Sequence, residues 1–413
     1  MSDARAARID LRDVRSAPMR AFHLSWVSFF ACFFAWFAVA PLMVVVREEL
    51  GLTQQQVGDT IIASVAGTVI ARLAVGRLCD RFGPRRVYAA LMGLGALPVA
   101  GLGLANSYES LLVLRLLIGG VGAAFVVTQY HTTVMFSPSV VGTANATTAG
   151  WGNLGGGVTQ FVMPLLMAGF LALGVETADA WRLSMLFPAA VLVVLAVVYL
   201  RFTQDTPTGD WTPRESVNGG MLGLLRDHRV VFLFVVYGAC FGVELTINNV
   251  AALYFVDNFE ISVGAAGMAA ASFGLMNLFA RSLGGMASDR IGARRGIPGR
   301  LMVLGTMLVC QGIALLAFAE MTVLGPAVVT LIVFSVFVQM AEGATFAVVP
   351  FVNSDALGGV VGIVAAGGNA GAVFAGLLFR VDGFAWADAL SVLGVFAILA
   401  AVPVFAMQLR YKE

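Results

Sequence analysis

The sequence predicts an all-α integral membrane protein of twelve transmembrane helices, built as two pseudo-symmetric six-helix bundles. Three observations predict it. Of 413 residues, 59% are hydrophobic and 12% charged, the latter about half the share usual in soluble chains. Apolar stretches long enough to span a bilayer recur along the whole length, and a charged motif in one half returns in the other. The 47 glycines suit close helix–helix approach in lipid.

Residues 1–20 carry five arginines and three aspartates without an apolar run, and read as a cytoplasmic tail. The apolar segment that follows is too long for a signal-peptide core and lacks a small-residue cleavage pattern, so it reads as a retained first helix. Spans are predicted at 22–46, 56–79, 86–105, 109–137, 141–172, 181–202, 228–256, 264–288, 299–318, 324–352, 357–380 and 386–409. In hydrocarbon every backbone polar group must be paired internally, so such runs are helices unless they close a barrel, and the alternation of barrel strands is absent. The first bundle covers 21–202, the second 228–409, a polar linker 203–227, and 410–413 form a short tail. Cys32, Cys79, Cys240 and Cys310 lie in or beside apolar runs without CxxC spacing, which fits core packing; no metal site is expected.

Arginines accumulate on one side: Arg5 to Arg20, Arg81, Arg85, Arg86, Arg201, Arg214, Arg226, Arg229, Arg290, Arg294, Arg295, Arg300 and Arg410, with Lys412. The other side receives Arg47, Arg182 and Arg380. The asymmetry predicts that both termini are cytoplasmic; the membrane is expected to be a bacterial inner membrane.

Residues 72–86, RLAVGRLCDRFGPRR, return as 281–295, RSLGGMASDRIGARR. Arg72, Gly76, Asp80, Arg81, Gly83, Arg85 and Arg86 recur as Arg281, Gly285, Asp289, Arg290, Gly292, Arg294 and Arg295. Gly76 and Gly285 permit helix approach, while Asp80 and Asp289, at helix ends beside Arg81 and Arg290, offer charge pairs that can hold or release a cytoplasmic gate. The positive-inside rule alone accounts for the arginines but not for the aspartate and glycines at fixed spacing. A second echo aligns GWGNLGGG (150–157) with AGGNAGAV (366–373), matching Gly152, Asn153 and Gly155 to Gly368, Asn369 and Gly371. Gly152 with Gly156, and Gly367 with Gly371, have the GxxxG spacing that leaves a helix face bare enough to slide on a neighbour.

Charges inside spans are rare and functional by default. Arg72 and Arg281 are pseudo-symmetry partners, each four residues before its motif glycine; they either face a central cavity or snorkel to the surface. Their planar donor forks suit a small oxyanion. Arg115 has no partner in the other half and reads as structural.

With these motifs the chain resembles the nitrate/nitrite porter family of the major facilitator superfamily: GRLCDRFGPRR is similar to the superfamily loop, and GWGNLGGG and AGGNAGAVF to the family's nitrate signature. The resemblance implies that Arg72 and Arg281 bind nitrate, that Phe125 and Phe346 sandwich the flat anion, and that Asn153, Asn369 and, more loosely, Tyr237 join the site. Each phenylalanine also fits ordinary packing in a chain with 30 of them. FHLSWVSFFACFFAWFAVAPL (22–42) and YGACFGVELTINN (237–249) resemble the proton-coupled symporters more than the nitrate/nitrite exchangers.

For coupling, a carboxylate is expected to offset the arginines in the empty carrier and to take up a proton as nitrate enters; Glu244 is the first candidate, with Glu342 and His131 competing. A permanently protonated, structural Glu244 is the alternative. The expected partners are nitrate, nitrite as a second anion, protons and lipid, acting on a monomer without nucleic acid. No cofactor is expected beyond the proton as coupling ion, because the glycine runs lack a GK[ST] ending. No loop exceeds about 25 residues, too short for a catalytic or signalling domain.

Overall fold

The computed structural model describes residues 4–209, 211–212, 220–261, 263–378 and 385–410. The centre of the linker, with Arg214, and the positions of Arg380 and Lys412 lie outside them.

Among the described residues, eleven helical stretches are long and apolar enough to cross a membrane. Seven precede the longest: α1 (Ala17–Glu49), α2 (Gln55–Phe82), α3 (Pro84–Leu104), α4 (Tyr108–Met135), α5 (Val141–Ala172), α6 (Thr177–Phe202) and α7 (His228–Asn248). The next stretch, Met268–Ala319, has 52 residues. At 1.5 Å per residue it would reach more than twice the ~30 Å of a hydrocarbon core. It breaks at Gly296, whose φ of 61° and ψ of −150° are not helical, with Pro298 just beyond. The break yields α8 (268–295) and α9 (297–319). With α10 (Leu324–Phe351), α11 (Leu357–Leu378) and α12 (Trp386–Gln408), the twelve helices overlap the twelve predicted spans one for one.

Local chemistry sets the helix ends. Thr53 and Gln56 form a reciprocal capping box at the start of α2, and Ser107 with Ser110 does the same at α4. Gly83, at φ 84°, turns the chain between α2 and α3, and Pro84 then opens α3 where its missing N–H has no helical partner to lose.

The chain packs as two compact units. The first is built on Asp10–Met135 and the residues from Trp151 through α6; the second is built on Phe136–Gly150 and the residues from α7 onward. Helix α5 therefore starts in the second unit and continues in the first.

The two units repeat the same internal pairings. In the first, α1 crosses α5 where Gly152, Gly155 and Gly156 meet Phe29, the Phe30 backbone and Phe37. Helix α2 crosses α4 where Gly67 and Gly119 bring backbones together, and α3 packs on α6. In the second, α7 crosses α11 where Gly367 and Gly371 meet the Phe234 carbonyl and Gly238. Helix α8 crosses α10 where Gly284 meets the Met340 backbone and Gly343 the Arg281 backbone. Helix α9 packs on α12 at Gly312 and Gly394. Each pairing of the first unit returns six helices later, as a parallel duplication requires. In lipid the attraction between helices comes from close contact rather than from water exclusion, so glycine marks each crossing.

After α6 the chain is tied back to the first loop. Asp205 is buried against Gly83, where it accepts a hydrogen bond from the Arg85 N–H at 2.9 Å, and Arg85 Nε donates to the Leu200 carbonyl at 2.7 Å. Burial raises the Asp205 carboxyl above its ordinary value, against the lowering pull of the Arg85 N–H and of the Arg85 and Arg86 charges. The folded state therefore binds this proton more tightly than the unfolded chain, and stability falls as pH rises from the ordinary carboxylate range through the raised folded value. Asp205→Asn, which keeps the acceptor for Arg85, is expected to melt higher in detergent than the parent at neutral pH, with the gap closing as pH is lowered. Equal melting temperatures throughout would contradict this reading.

Candidate functional site

Arg72, in the middle of α2, is 0% exposed. Its surroundings come from a tight turn in α4: residues Gly119–Ala123 wind as a 3-10 segment, which frees carbonyls from the regular i→i+4 ladder. Two of these carbonyls serve α2. Thr68 Oγ1 donates to the Gly119 carbonyl at 2.7 Å, and one turn later Arg72 Nε donates to the Gly122 carbonyl at 3.4 Å. The guanidinium carbon lies 5.2 Å from the centre of the Phe125 ring, within cation–π range. A side chain at Gly122 would press on Thr68 and Trp36, so this approach needs glycine.

Arg281 holds the matching position in α8 and is 1% exposed. Its Nη2 is ion-paired with Glu342 of α10 and donates to the Tyr237 hydroxyl at 3.4 Å. Its guanidinium carbon stands 5.7 Å from the Phe241 ring, which stacks on Tyr237 at 5.2 Å with the planes 6° apart. Phe346 meets the Tyr237 ring edge-on at 4.9 Å. Tyr237 immediately precedes, and Phe241 belongs to, a single π-helical turn, Gly238–Gly242, an insertion common at functional sites. One turn before Arg281, as Thr68 is before Arg72, Asn277 Nδ2 donates to Glu244 Oε1 at 2.6 Å.

The surroundings of both arginines come from a repeated segment. Gly122, Ala123 and Phe125 of α4 recur as Gly343, Ala344 and Phe346 of α10. Glu342 thereby stands where the first unit has Val121, so the duplication brings a carboxylate to Arg281 and an apolar side chain to the equivalent position.

The glycine runs lie in these same surroundings. Gly150 faces the Asn277 carbonyl and the Arg281 side chain, both of which a side chain at this position would meet. Gly368 lies against the Tyr237 and Phe241 rings, where any larger residue would push on the aromatic wall. Gly152, Gly155, Gly156 and Gly371 have a neighbouring helix on the bare faces predicted for them. Asn369 is fully buried in α11 and Asn153 half-buried in α5.

His131 stands in a different environment of the first unit. Its Nδ1 is 2.5 Å from the Tyr199 hydroxyl and its Nε2 2.7 Å from the Gln204 carbonyl, so both ring nitrogens tie α4 to the end of α6. Tyr199 in turn meets Ser25 at 3.0 Å. The proton-coupling candidates thus divide: Glu342 and Glu244 lie in the surroundings of Arg281, His131 in the Tyr199 cluster.

The second loop motif ends on a capped helix. Asp289 accepts from the backbone N–H of Gly142 at 3.1 Å and of Thr143 at 2.6 Å, and from Thr143 Oγ1 at 2.7 Å. It therefore serves the orphan donors and positive end of α5. Gly285 packs on Gly142 and Ala146 at the same crossing. The arginine that pairs with Asp289 is Arg300 of α9, at 2.7 Å, which also donates to the Pro138 carbonyl at 2.6 Å; Arg290 is exposed. In the first copy Gly76 is buried and Asp80 half-buried, while Gly83 is the position covered by Asp205.

Sequence reasoning missed Phe241, Asn277, Gly150 and Arg300. For Asn277 a signal existed, a polar side chain one turn before the intramembrane arginine. For Phe241 and Arg300 there was none, because their contacts are fixed by the π turn and by the break at Gly296.

Removing the Asp289 carboxylate leaves the start of α5 uncapped and Arg300 buried without its counter-charge, a loss of about 3–5 kcal/mol. Asp289→Ala is expected to lower the unfolding midpoint in detergent strongly, while Arg290→Ala changes it little. Equal effects would contradict the assignment of Arg300 as the partner.

The profile of the Major Facilitator Superfamily matches residues 25–247. The high affinity nitrate transporter 2.5 of Arabidopsis thaliana is 39% identical over 98% of this chain and 82% of its own. The nitrate transporter 2.1 of Chlamydomonas reinhardtii is 36% identical over 94% of this chain and 74% of its own. The nitrate/nitrite transporter NrtP of Nostoc punctiforme is 27% identical over 95% and 92%. Among solved structures, the E. coli fucose:proton symporter FucP superposes with a TM-score of 0.69 at 15% identity, over 95% of this chain and all of that one, a likeness of fold alone. Membership of a transporter family, with helices suited to crossing a membrane many times, makes this a multi-pass transport protein rather than an enzyme. From the repeated arginine motif through the glycine signature to these relatives, the chain belongs to the nitrate/nitrite porter family of the major facilitator superfamily.

Proposed function

We propose that this protein imports nitrate together with protons, by alternating access of its two six-helix units, and that Arg72 and Arg281 bind the anion. The observation that carries the proposal is the paired placement of two buried guanidiniums at equivalent points of a duplicated fold, each beside an aromatic ring. A buried positive charge in a membrane protein is costly to keep, about 2.5–3.5 kcal/mol on insertion scales, and is retained where it does work. Nitrate is flat, singly charged and able to take two parallel N–H donors from one fork, and flat aromatic faces above and below it suit a planar ion better than a tetrahedral one. The relatives named as nitrate transporters support the same substrate.

In this reading Phe125 and Phe346 offer flat faces to the ion, and Tyr237 adds a hydroxyl beside Arg281. Asn153 and Asn369 supply amide groups on α5 and α11, and the glycine crossings give those helices a surface without side chains on which to slide. Asp80 and Asp289, with Gly76 and Gly285, form the gate elements, Asp289 through its cap on the start of α5. The arginine-rich face, with both termini, is cytoplasmic, and the membrane is the bacterial inner membrane.

A second reading on the same scaffold is nitrate/nitrite exchange, which the Nostoc relative named for both anions favours. Proteoliposomes separate the two. Proton-coupled import predicts that a pH gradient alone accumulates labelled nitrate, whereas exchange requires nitrite or nitrate inside. For the site itself, Arg72→Lys and Arg281→Lys keep the charge and lose the fork, and each is expected to weaken nitrate binding at least ~10-fold, or ~1.4 kcal/mol. Unchanged affinity in either would remove the paired-arginine site.

A further inference from the structure

We propose that Glu342 carries the coupling proton by trading places with nitrate as the counter-charge of Arg281; the inference rests on the proton-coupled reading above. Arg281 Nη2 is ion-paired with Glu342 Oε2, and both side chains are buried. The remaining groups of the pair, Arg281 Nη1 and Glu342 Oε1, are buried without a hydrogen-bond partner among the described residues. A carboxylate and a nitrate present the same face to a guanidinium: one negative charge spread over two coplanar oxygens. Glu342 therefore occupies the Arg281 fork as the substrate would, and a nitrate that takes both Nη groups must displace it.

Displacement leaves a carboxylate in low dielectric without its cation. The titratable groups around the pair are Arg281 on α8, now committed to nitrate, with Tyr237 and Glu244 of α7 beside Arg281 and Cys240 of α7 beside Thr345; α11 has none in its sequence. None of the α7 groups supplies a positive charge, and Glu244 is engaged by Asn277 Nδ2. Glu342 is neutralised by one proton. The step balances: the carboxylate–guanidinium pair, one nitrate and one proton become a carboxylic acid and a nitrate–guanidinium pair, with no net charge on either side. Release of nitrate reverses it, the proton leaving as Glu342 returns to Arg281. Val121, at the equivalent place in the first unit, has no proton to trade, so the duplication confines this exchange to the second.

The test uses the full-length protein in proteoliposomes and in detergent. Wild type must first accumulate nitrate under a pH gradient; if it does not, the proton-coupled reading itself fails, whatever Glu342 does. Glu342→Gln is expected to lose accumulation above equilibrium while retaining exchange of labelled for unlabelled nitrate at equal pH. In detergent, wild-type nitrate Kd is expected to rise ~10-fold per pH unit once Glu342 is ionised, and the Kd of Glu342→Gln to be flat. Accumulation or a retained pH slope in Glu342→Gln overturns the proposal, and so does loss of exchange together with accumulation in folded protein, which makes Glu342 merely structural. Glu244→Gln provides a check that does not depend on the folding of Glu342→Gln. It is expected to shift affinity and keep the pH slope; a flat Kd there moves the proton to Glu244 and overturns the assignment.

Discussion

A guanidinium cannot remain charged inside a membrane protein unless something nearby answers its charge, and this constraint organises both units. Around Arg72 the answer comes in part from dipoles and a ring: a carbonyl released by the tight turn of α4 and the face of Phe125. Around Arg281 it comes from a full negative charge on Glu342. The two solutions differ in what they permit. A carbonyl is fixed to its backbone and cannot be titrated, whereas a carboxylate can leave and be neutralised. Equivalent positions of one duplicated fold are thereby given different chemistry.

The packing serves these arginines. Each stands beside a helix crossing where glycine lets backbones touch, at Gly67 and Gly119 for Arg72 and at Gly343 for Arg281. The contact brings a carbonyl or a carboxylate within reach of a side chain that would otherwise have to extend toward water. The glycine runs of α5 and α11 act one step away. Gly150 makes room for the Arg281 stem and Gly368 for the Tyr237 and Phe241 rings, so a motif that reads as a helix-packing signature also shapes the wall around the charge.

Much of this was legible in the sequence because duplication prints the same residues twice. The twelve spans, the pairing of Arg72 with Arg281 and the glycine faces follow from periodicity and repeats, while Phe125 and Phe346 come from the family resemblance. The rest depended on directions that a linear pattern does not carry. Glu244 and Glu342 are both acidic residues deep in spans, and depth alone ranks Glu244 first. The π turn at Gly238–Gly242 inserts a residue into α7 and shifts the face on which everything after it points, and there Glu244 pairs with Asn277 while Glu342 meets Arg281. The break at Gly296 similarly decides that Arg300, outside the motif, meets Asp289.

The central claim is that nitrate reaches this site only as part of a trade of charges, and calorimetry of nitrate binding to the purified protein tests it most directly. Titrations in buffers of different ionisation enthalpy, at a pH where the empty site is fully ion-paired, report the protons taken up with the anion. The account predicts uptake of a proton with each nitrate bound. Nitrate binding with a heat independent of buffer, and so without a proton, would contradict it.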